Sequence, residues 1–315
     1  MKKTNWSKRG LVYDVDASLE WAKSHAQVPT VDVLDEDRLR IFFSSRDAVN
    51  RSRIGSLDVS ASQPSKILRV GDKPVLDLGE CGSFDDCGTM PSWLVDHEGR
   101  KYLYYIGWNV RNTVPYHNAV GLAVSDDNGA TFERLYRGPI MDRTAEEPFF
   151  CATSCVLVEN GLWRNWYLSC TGWVSNGSAM PEPRYHLKYA ESDDGIHWKR
   201  HGVIAIDYGS PMEGGLVRAS VLRCGTGYRM WFSYRSTLNY REKAAQSYRI
   251  GYAESKDGIR WERDDASSGI DISEEGWDSF MVAYPHVVNV GGRLHMFYNG
   301  NGFGDTGFGY AVEQQ

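Results

Sequence analysis

The sequence predicts an all-β chain folded as a five-bladed β-propeller, and three observations predict it. Nearly the same twelve residues occur twice, "YAESDDGIHWKR" from Tyr189 to Arg200 and "YAESKDGIRWER" from Tyr252 to Arg263, 63 positions apart. An alternating strand rich in aromatic residues precedes each copy, and a short apolar strand precedes that one. Between these elements helical periodicity is almost absent. Self-similarity at a fixed period marks a repeat architecture, and four-stranded sheets repeated radially build a propeller.

The elements follow in order along the chain. "RGLVYDV" is an N-terminal strand, and "ASLEWAKSHA" (Ala17 to Ala26) reads as a helical turn or two. Each unit then opens with a short apolar strand: "VPTVDVL", "MPSWLV", "TSCVLV", "RASVLR" and "YPHVVNV". Their anchor positions, Pro29, Pro91, Ser154, Ala219 and Pro285, are spaced by 62, 63, 65 and 66 residues. The aromatic-rich second strands are "RLRIFFSSRD", "RKYLYYIGWN", "LWRNWYLSCTG", "YRMWFSYRS" and "RLHMFYNGNG". Third strands and turns follow, as in "VGLAVSDDNGATFER" from Val120; "IGSLDVS" from Ile54 is a degenerate copy and "FGYAVEQQ" from Phe308 a truncated one.

The last unit stops after its third strand, so the N-terminal strand is expected to supply the missing outer one and close the ring. Closure removes the exposed edges of an open array. Residues 1–315 then form one propeller domain of four-stranded antiparallel blades. Asp194-Gly195 and Asp257-Gly258 are hairpin-turn dipeptides, and Trp198 and Trp261 are expected to pack between neighbouring blades rather than to do chemistry.

Composition narrows the partners. A net charge of −6 without a basic cluster argues against nucleic acid or an anionic membrane surface. The positive N-terminus has no apolar stretch behind it, and no run reaches the ~18 residues of a membrane span. A cytoplasmic protein with no membrane insertion is expected. Its six cysteines are then reduced, and none forms a C-x-x-C pair that would suggest zinc.

The chemistry should lie where the units differ yet converge. Six or seven residues upstream of the anchors stand Lys23, Asp85, Glu147, Glu213 and Asp278, with Asp86 and Glu146 as alternatives to their neighbours. Carboxylates forced together at a funnel mouth raise one another's pKa, and a paired acid and base is what glycosidic cleavage requires. Other groups expected around them are His25, Gln27, Arg46, Arg218, Arg235, Tyr284 and His286, with Trp108, Trp173 and Tyr240 as stacking platforms for a sugar. The guanidinium groups could orient carboxylates or hold an anionic part of the substrate.

Five blades, S-x-D-G-x-x-W turns and convergent carboxylates resemble the five-bladed glycoside hydrolases: family 43 arabinanases and xylosidases, invertases and levansucrases, and mannoside phosphorylases. "PMEGG" (Pro211 to Gly215) is similar to the motif carrying the general acid of family 43, which implies Glu213 as proton donor. "FDDCGTMPSWLVDHEGRKYLYY" is similar to the strand entry whose Asp tunes that acid, which implies Asp85 or Asp86. Overall the chain is most similar to propeller proteins carrying "SHAQVP", "FDDxGxMPSW" and "GWDSxM", of the kind encoded among polysaccharide-biosynthesis genes.

One departure is plain: "KSHAQVPT" has no Asp where those hydrolases place the base or nucleophile. Three outcomes stay open. The chain cleaves a glycosidic bond with Glu213 as acid and Asp85 and Glu147 as base and tuning partner; or it is a phosphorylase or transglycosidase using bound phosphate or an acceptor. Alternatively it is a non-catalytic carbohydrate-binding propeller in surface-polysaccharide biosynthesis. The partner implied is a carbohydrate or glycan precursor. No cofactor is required, although the resemblance allows a calcium ion on the axis near a histidine.

Overall fold

Two adjacent aromatic residues mark the middle of every second strand: Phe42–Phe43, Tyr104–Tyr105, Trp166–Tyr167, Trp231–Phe232 and Phe297–Tyr298. None of the ten is more than 1% exposed. Successive side chains in a strand point to opposite faces, so a sheet that buries both is covered on both sides. The fold follows from that requirement.

The computed structural model describes residues 4–175, 177 and 180–314. The N-terminal strand is β1 (Trp6–Tyr13). The first meander contains β2 (Ser24–Val33), β3 (Arg38–Arg46), β4 (Ser52–Ser60) and β5 (Ile67–Val70). The second contains β6 (Gly88–His97), β7 (Arg100–Val110), β8 (Tyr116–Ser125) and β9 (Glu133–Arg134). Next come β10 (Cys151–Glu159), β11 (Leu162–Val174), β12 (Glu182–Ser192) and β13 (Lys199–Ile206). They are followed by β14 (Glu213–Cys224), β15 (Gly227–Ser236), β16 (Arg249–Ser255) and β17 (Glu262–Arg263). The last group is β18 (Ala283–Val290), β19 (Arg293–Asn299) and β20 (Phe308–Glu313), and β1 pairs antiparallel with β20 as its fourth strand.

The chain is thus all-β, with helix confined to single turns. Hydrogen bonding joins the meanders into sheets of four, eight and eight strands. Each eight-stranded sheet is two meanders linked by one parallel bridge, Ser52–Gly88 in one and Tyr185–Gly215 in the other. The first strands β2, β6, β10, β14 and β18 touch one another in that order, and β18 touches β2. At that last contact Asn299 accepts from Val28 N at 2.7 Å and donates to the Ala26 carbonyl at 2.6 Å.

The repeated turns clasp their neighbours. In each, a Ser hydroxyl accepts from the Gly amide, as in Gly195 N to Ser192 Oγ at 2.9 Å and Gly258 N to Ser255 Oγ at 2.8 Å. The turn glycines in turn accept from the preceding meander: Tyr104 Oη donates to Gly195 O at 2.8 Å, and Trp166 Nε1 to Gly258 O at 2.9 Å. Trp198 and Trp261 meet those same two rings edge-on, with centroids 6.1 Å apart in both cases. Their structural reading stands.

A glycine lies opposite the second aromatic of the pair in four of the meanders, as with Tyr105 facing Gly121. A Cβ at Gly121 would sit 2.2 Å from the Tyr105 ring, so the ring lies flat only because the side chain is absent. In the β10–β13 meander the position is Lys188, opposite Tyr167.

The expected helical turns at Ala17 to Ala26 do not form. Ala17 and His25 take positive φ of 58° and 62°, which stops a helix at both ends. A tight turn closed by Ala22 N to Leu19 O at 3.2 Å takes its place, and Trp21 stacks on Phe43.

Candidate functional site

The first strand of each meander has a register irregularity at the equivalent place: Gln27/Thr30, Pro91/Trp93, Ala152/Ser154, Val217/Ser220 and Ala283/His286. Bulges re-aim side chains and recur beside functional sites. Here Val28, Arg218 and Tyr284, each one residue before an anchor, are forced to φ of 54°, 59° and 55°, a strained region for non-glycine residues.

Above these bulges a cavity of about 440 Å³ opens, within the usual range of ligand pockets. Val28, Met90, Thr153 and Tyr284 contribute from the first strands, and Trp108, Tyr116, Tyr185, Tyr240, Tyr248 and Phe303 surround them. Arg46, Arg241, His25, Gln27, Asn50 and Asn118 are the polar members that distinguish this wall, and among the described residues no Asp or Glu belongs to it.

The polar groups are held in place. Arg46 Nε donates to Gln27 Oε1 at 3.2 Å, and Gln27 Nε2 donates to the Phe303 carbonyl at 2.8 Å. Trp108 Nε1 donates to Ser52 Oγ at 2.8 Å, fixing its ring edge. Burial, reinforced by the Arg46 charge, holds His25 down to about 4, although Asp305 pulls the other way. His25 is therefore neutral at pH 7. Behind the wall the buried Arg235 guanidinium lies 3.7 Å from the Tyr240 ring centroid and donates to the Tyr185 and Tyr248 hydroxyls.

A cleft of about 210 Å³ adjoins this cavity and shares Tyr116 and Phe150 with it. Arg111, Arg143, His117 and Trp173 line the cleft, again without a carboxylate.

Of the residues expected from the sequence, His25, Gln27, Arg46, Trp108, Tyr240 and Tyr284 meet in the main cavity, and Trp173 lies in the cleft. The carboxylates are not there. Asp85 accepts from Arg134 Nε at 2.8 Å and Tyr105 Oη at 3.0 Å. Glu147 accepts from Tyr167 at 2.8 Å and Ser169 at 3.0 Å, with Lys188 at 3.2 Å and Arg200 at 3.5 Å. Glu213 is gripped by Arg263, and Asp278 by Lys8 at 2.7 Å and Tyr298 at 2.9 Å. No two of them share a partner.

The placement of these carboxylates has a geometric cause. Asp85, Glu147 and Asp278 precede the first residue of their inner strands, and Glu213 is itself such a residue, at the start of β14. Each therefore pairs with a cation of its own outermost strand. Asp86 accepts from Gly82 N, and Glu146 is exposed. Lys23, their counterpart in the first meander, donates to the Ala17 carbonyl. Burial raises Glu147, but the Tyr167 hydrogen bond and the Lys188 and Arg200 charges outweigh it and leave its pKa below the ordinary value.

Arg218, Arg235 and His286 also stand outside the cavity lining, buried behind it. Arg218 Nη2 donates to Thr30 Oγ1 at 2.9 Å and His286 Nδ1 at 3.1 Å, while its Nε and Nη1 have no protein partner among the described residues. Burial pushes it down to about 9. His286 stacks on Trp93 with centroids 4.7 Å apart. A histidine that accepts from a guanidinium does not fit a calcium site, and the described residues hold no cluster of metal-ligating groups.

Tyr116, Tyr185, Tyr248, Phe150, Phe303, Arg241, Asn50 and Asn118 also line the cavity and were not expected from the sequence. A signal existed for two of them. Tyr185 and Tyr248 are separated by 63 residues, the same period as the opening repeat.

No known family model matches the chain. Its fold is similar to that of a glycosyl hydrolase from Bacteroides ovatus, with TM-score 0.73 and 14% identity over 98% of this chain and 94% of that one. It is also similar to a protein described within the GH130 family of mannoside phosphorylases, containing glycoside hydrolases that target beta-1,2 mannosidic linkages in Candida mannan. There the TM-score is 0.71 and the identity 13%, over 98% and 94% of the two chains. At these identities the likeness is one of fold. Two Mycobacterium tuberculosis proteins, Uncharacterized protein Rv1502 of strain H37Rv and Uncharacterized protein MT1551 of strain CDC 1551, are each 38% identical over 307 residues, covering 98% of both chains. The chain belongs to the same family as these two mycobacterial proteins.

Proposed function

We propose that this chain is a five-bladed β-propeller whose central cavity binds a carbohydrate and does not hydrolyse it by paired-carboxylate catalysis. The repeated four-strand meanders, the β1–β20 pairing and the contact of β18 with β2 support the ring. The glycoside hydrolase and mannoside phosphorylase folds to which it is similar support a sugar as ligand. So does a lining dominated by aromatic rings with a few oriented amides and cations. Six free thiols support a reducing, cytoplasmic setting, where a precursor of a surface polysaccharide would be met.

A single observation carries the choice of binding over hydrolysis: among the described residues no carboxylate lines the cavity. Hydrolysis of a glycosidic bond ordinarily needs two, flanking it about 5–9.5 Å apart. The four candidates are instead committed to ion pairs and hydrogen bonds within their own meanders. The phosphorolytic alternative draws on Arg46 and Arg241, which could hold phosphate, but the lining offers no carboxylic acid to protonate a leaving group.

The test is a panel of mono- and oligosaccharides followed by calorimetry, with parallel turnover assays on aryl glycosides with and without inorganic phosphate. Saturable binding without turnover is expected, and Trp108→Ala should weaken it by about tenfold, or 1.4 kcal/mol. Turnover that disappears in Glu213→Gln while the fold survives would reinstate the hydrolase. Phosphate-dependent turnover would establish the phosphorylase.

A further inference from the structure

Building on that reading of the cavity, we infer that its carbohydrate ligand carries an anionic group, a phosphate or a carboxylate, and extends from the main cavity into the adjoining cleft. Arg46 is the contact in the cavity, and Arg111 and Arg143 are the contacts in the cleft.

The distribution of uncompensated charge leads to this. The whole chain has a net charge of −6, yet the two cavities together are lined by four arginines and no carboxylate. Most arginines elsewhere are paired, as Arg40 is with Asp58 and Arg263 with Glu213. Arg46, Arg111 and Arg143 have no carboxylate within 4.0 Å among the described residues. Asp305 acts on Arg46 and Asp142 on Arg143 only from beyond ion-pair distance, so positive charge is incompletely offset where a ligand would sit.

Two more guanidinium groups reinforce it from behind. Arg235 donates to the Tyr185 and Tyr248 hydroxyls and to the Pro183 and Ser236 carbonyls. Arg218 donates to the Pro29 carbonyl, Thr30 and His286. Neither meets a carboxylate among the described residues, and both are at most 1% exposed. Burying an uncompensated cation is costly, and an anion nearby offsets the cost.

The negative groups near the site are spoken for or face outward. Arg241 pairs with Glu182, and His117 with Asp142 at 2.7 Å. Asp305 lies 3.7 Å from His25 but is 61% exposed.

Arg46 is also positioned for the task. Gln27 fixes its Nε, which leaves both Nη groups without a protein acceptor among the described residues. A planar guanidinium held at one nitrogen presents the others to a phosphate or carboxylate as a pair. Tyr116 and Phe150 line both cavities, so the two adjoin and a ligand longer than one ring that extends past these rings would reach both sets of arginines.

Calorimetry on the full chain tests this with matched probes: neutral hexoses, their 1-phosphates, the corresponding uronic acids, a disaccharide 1-phosphate, and inorganic phosphate alone. The acidic member of a pair should bind at least tenfold tighter than the neutral one, and the 1-phosphate and uronic-acid arms show which anion it is. The advantage should shrink in high salt. Arg46→Gln should remove the acidic member's advantage over its neutral partner, with the circular dichroism unchanged. The double variant Arg111→Gln/Arg143→Gln should weaken only the disaccharide phosphate. Equal binding of neutral and acidic sugars, or an advantage that survives Arg46→Gln, would overturn the inference and leave glycan binding standing. Binding of inorganic phosphate with no sugar bound in any form would instead remove the glycan reading itself.

Discussion

Arg263 takes both oxygens of Glu213, at 2.7 and 2.9 Å, and Gly209 N adds a third hydrogen bond at 2.7 Å. The pair belongs to a repeated layer. Asp85 meets Arg134, Glu147 meets Arg200 and Asp278 meets Lys8, each time an entry-loop or strand-start carboxylate against a cation of the outermost strand. Two of these outer strands are very short, β9 and β17 with two residues each, whereas β13 has eight. Ladder bonds alone hold the shortest poorly, and the ion pairs pin them to the sheet.

Glu213→Gln should therefore cost stability. Arg263 keeps Asp265 at 2.7 Å, so it is not stranded. The expected loss is about 1–3 kcal/mol, that of a buried donor left poorly satisfied, read from the urea midpoint. Ligand affinity should stay within twofold. A variant as stable as the parent, or one that loses ligand while keeping stability, would return Glu213 to the functional site.

His25 supplies a pH dependence whose sign is fixed. Its folded pKa of about 4 lies below the unfolded value of 6.5, so the unfolded chain binds more protons between those values. Stability is then fully present above pH 6.5 and falls as the pH drops toward 4. A carbon-bound proton of His25 followed by NMR should titrate with a midpoint near 4, and bound anion should raise it. A midpoint near 6.5 without ligand would show that the imidazole is neither buried nor beside the Arg46 charge.

The repeat was legible because its turn chemistry is local: Ser192, Asp194 and Gly195 need only one another to close the turn. The paired aromatics were equally visible, since alternation in a strand is a local property. The site was harder. Its inward residues are set by bulges one position before each anchor, and a bulge changes facing without any fixed residue signature. Val28, Met90, Thr153 and Tyr284 share no residue type, and Arg218 at the same position does not reach the lining, whereas the carboxylates farther upstream share theirs because they do the same structural job. Recurrence of one residue type at one repeat position was the mark of architecture.

Gly121 tests how the aromatic pairs are seated. In Gly121→Ala the new methyl would press on Tyr105, whose hydroxyl holds Asp85 at 3.0 Å. The ring must shift, and the expected cost is about 1–3 kcal/mol, typical of overpacking. Gly138→Ala is the control, because no atom lies within 4 Å of its added Cβ, and it should be neutral in thermal unfolding. Equal effects of the two would mean the glycine is not there for the ring.

Asn299 tests the contact between the last and first meanders. Its side chain is fully buried and makes three bonds, accepting from Val28 N and donating to the Ala26 and Gly307 carbonyls at 2.6 and 3.0 Å. Two of these partners belong to β2, which has no ladder with β19. Asn299→Ala leaves one donor and two acceptors buried without it, at about 1–3 kcal/mol for each group that finds no substitute. Asn299→Asp keeps the bond to Val28 N but sets a carboxylate oxygen against two carbonyls, so it should be at least as damaging near neutral pH. Hydrogen exchange is the discriminating measurement. Amides of β2 and of β1, which depends on the same meander, should exchange faster, while those of β11 and β12 should not. Uniform acceleration across the chain would mean that the first and last meanders do not part on their own, and that the contact is one bond among many in a single cooperative unit.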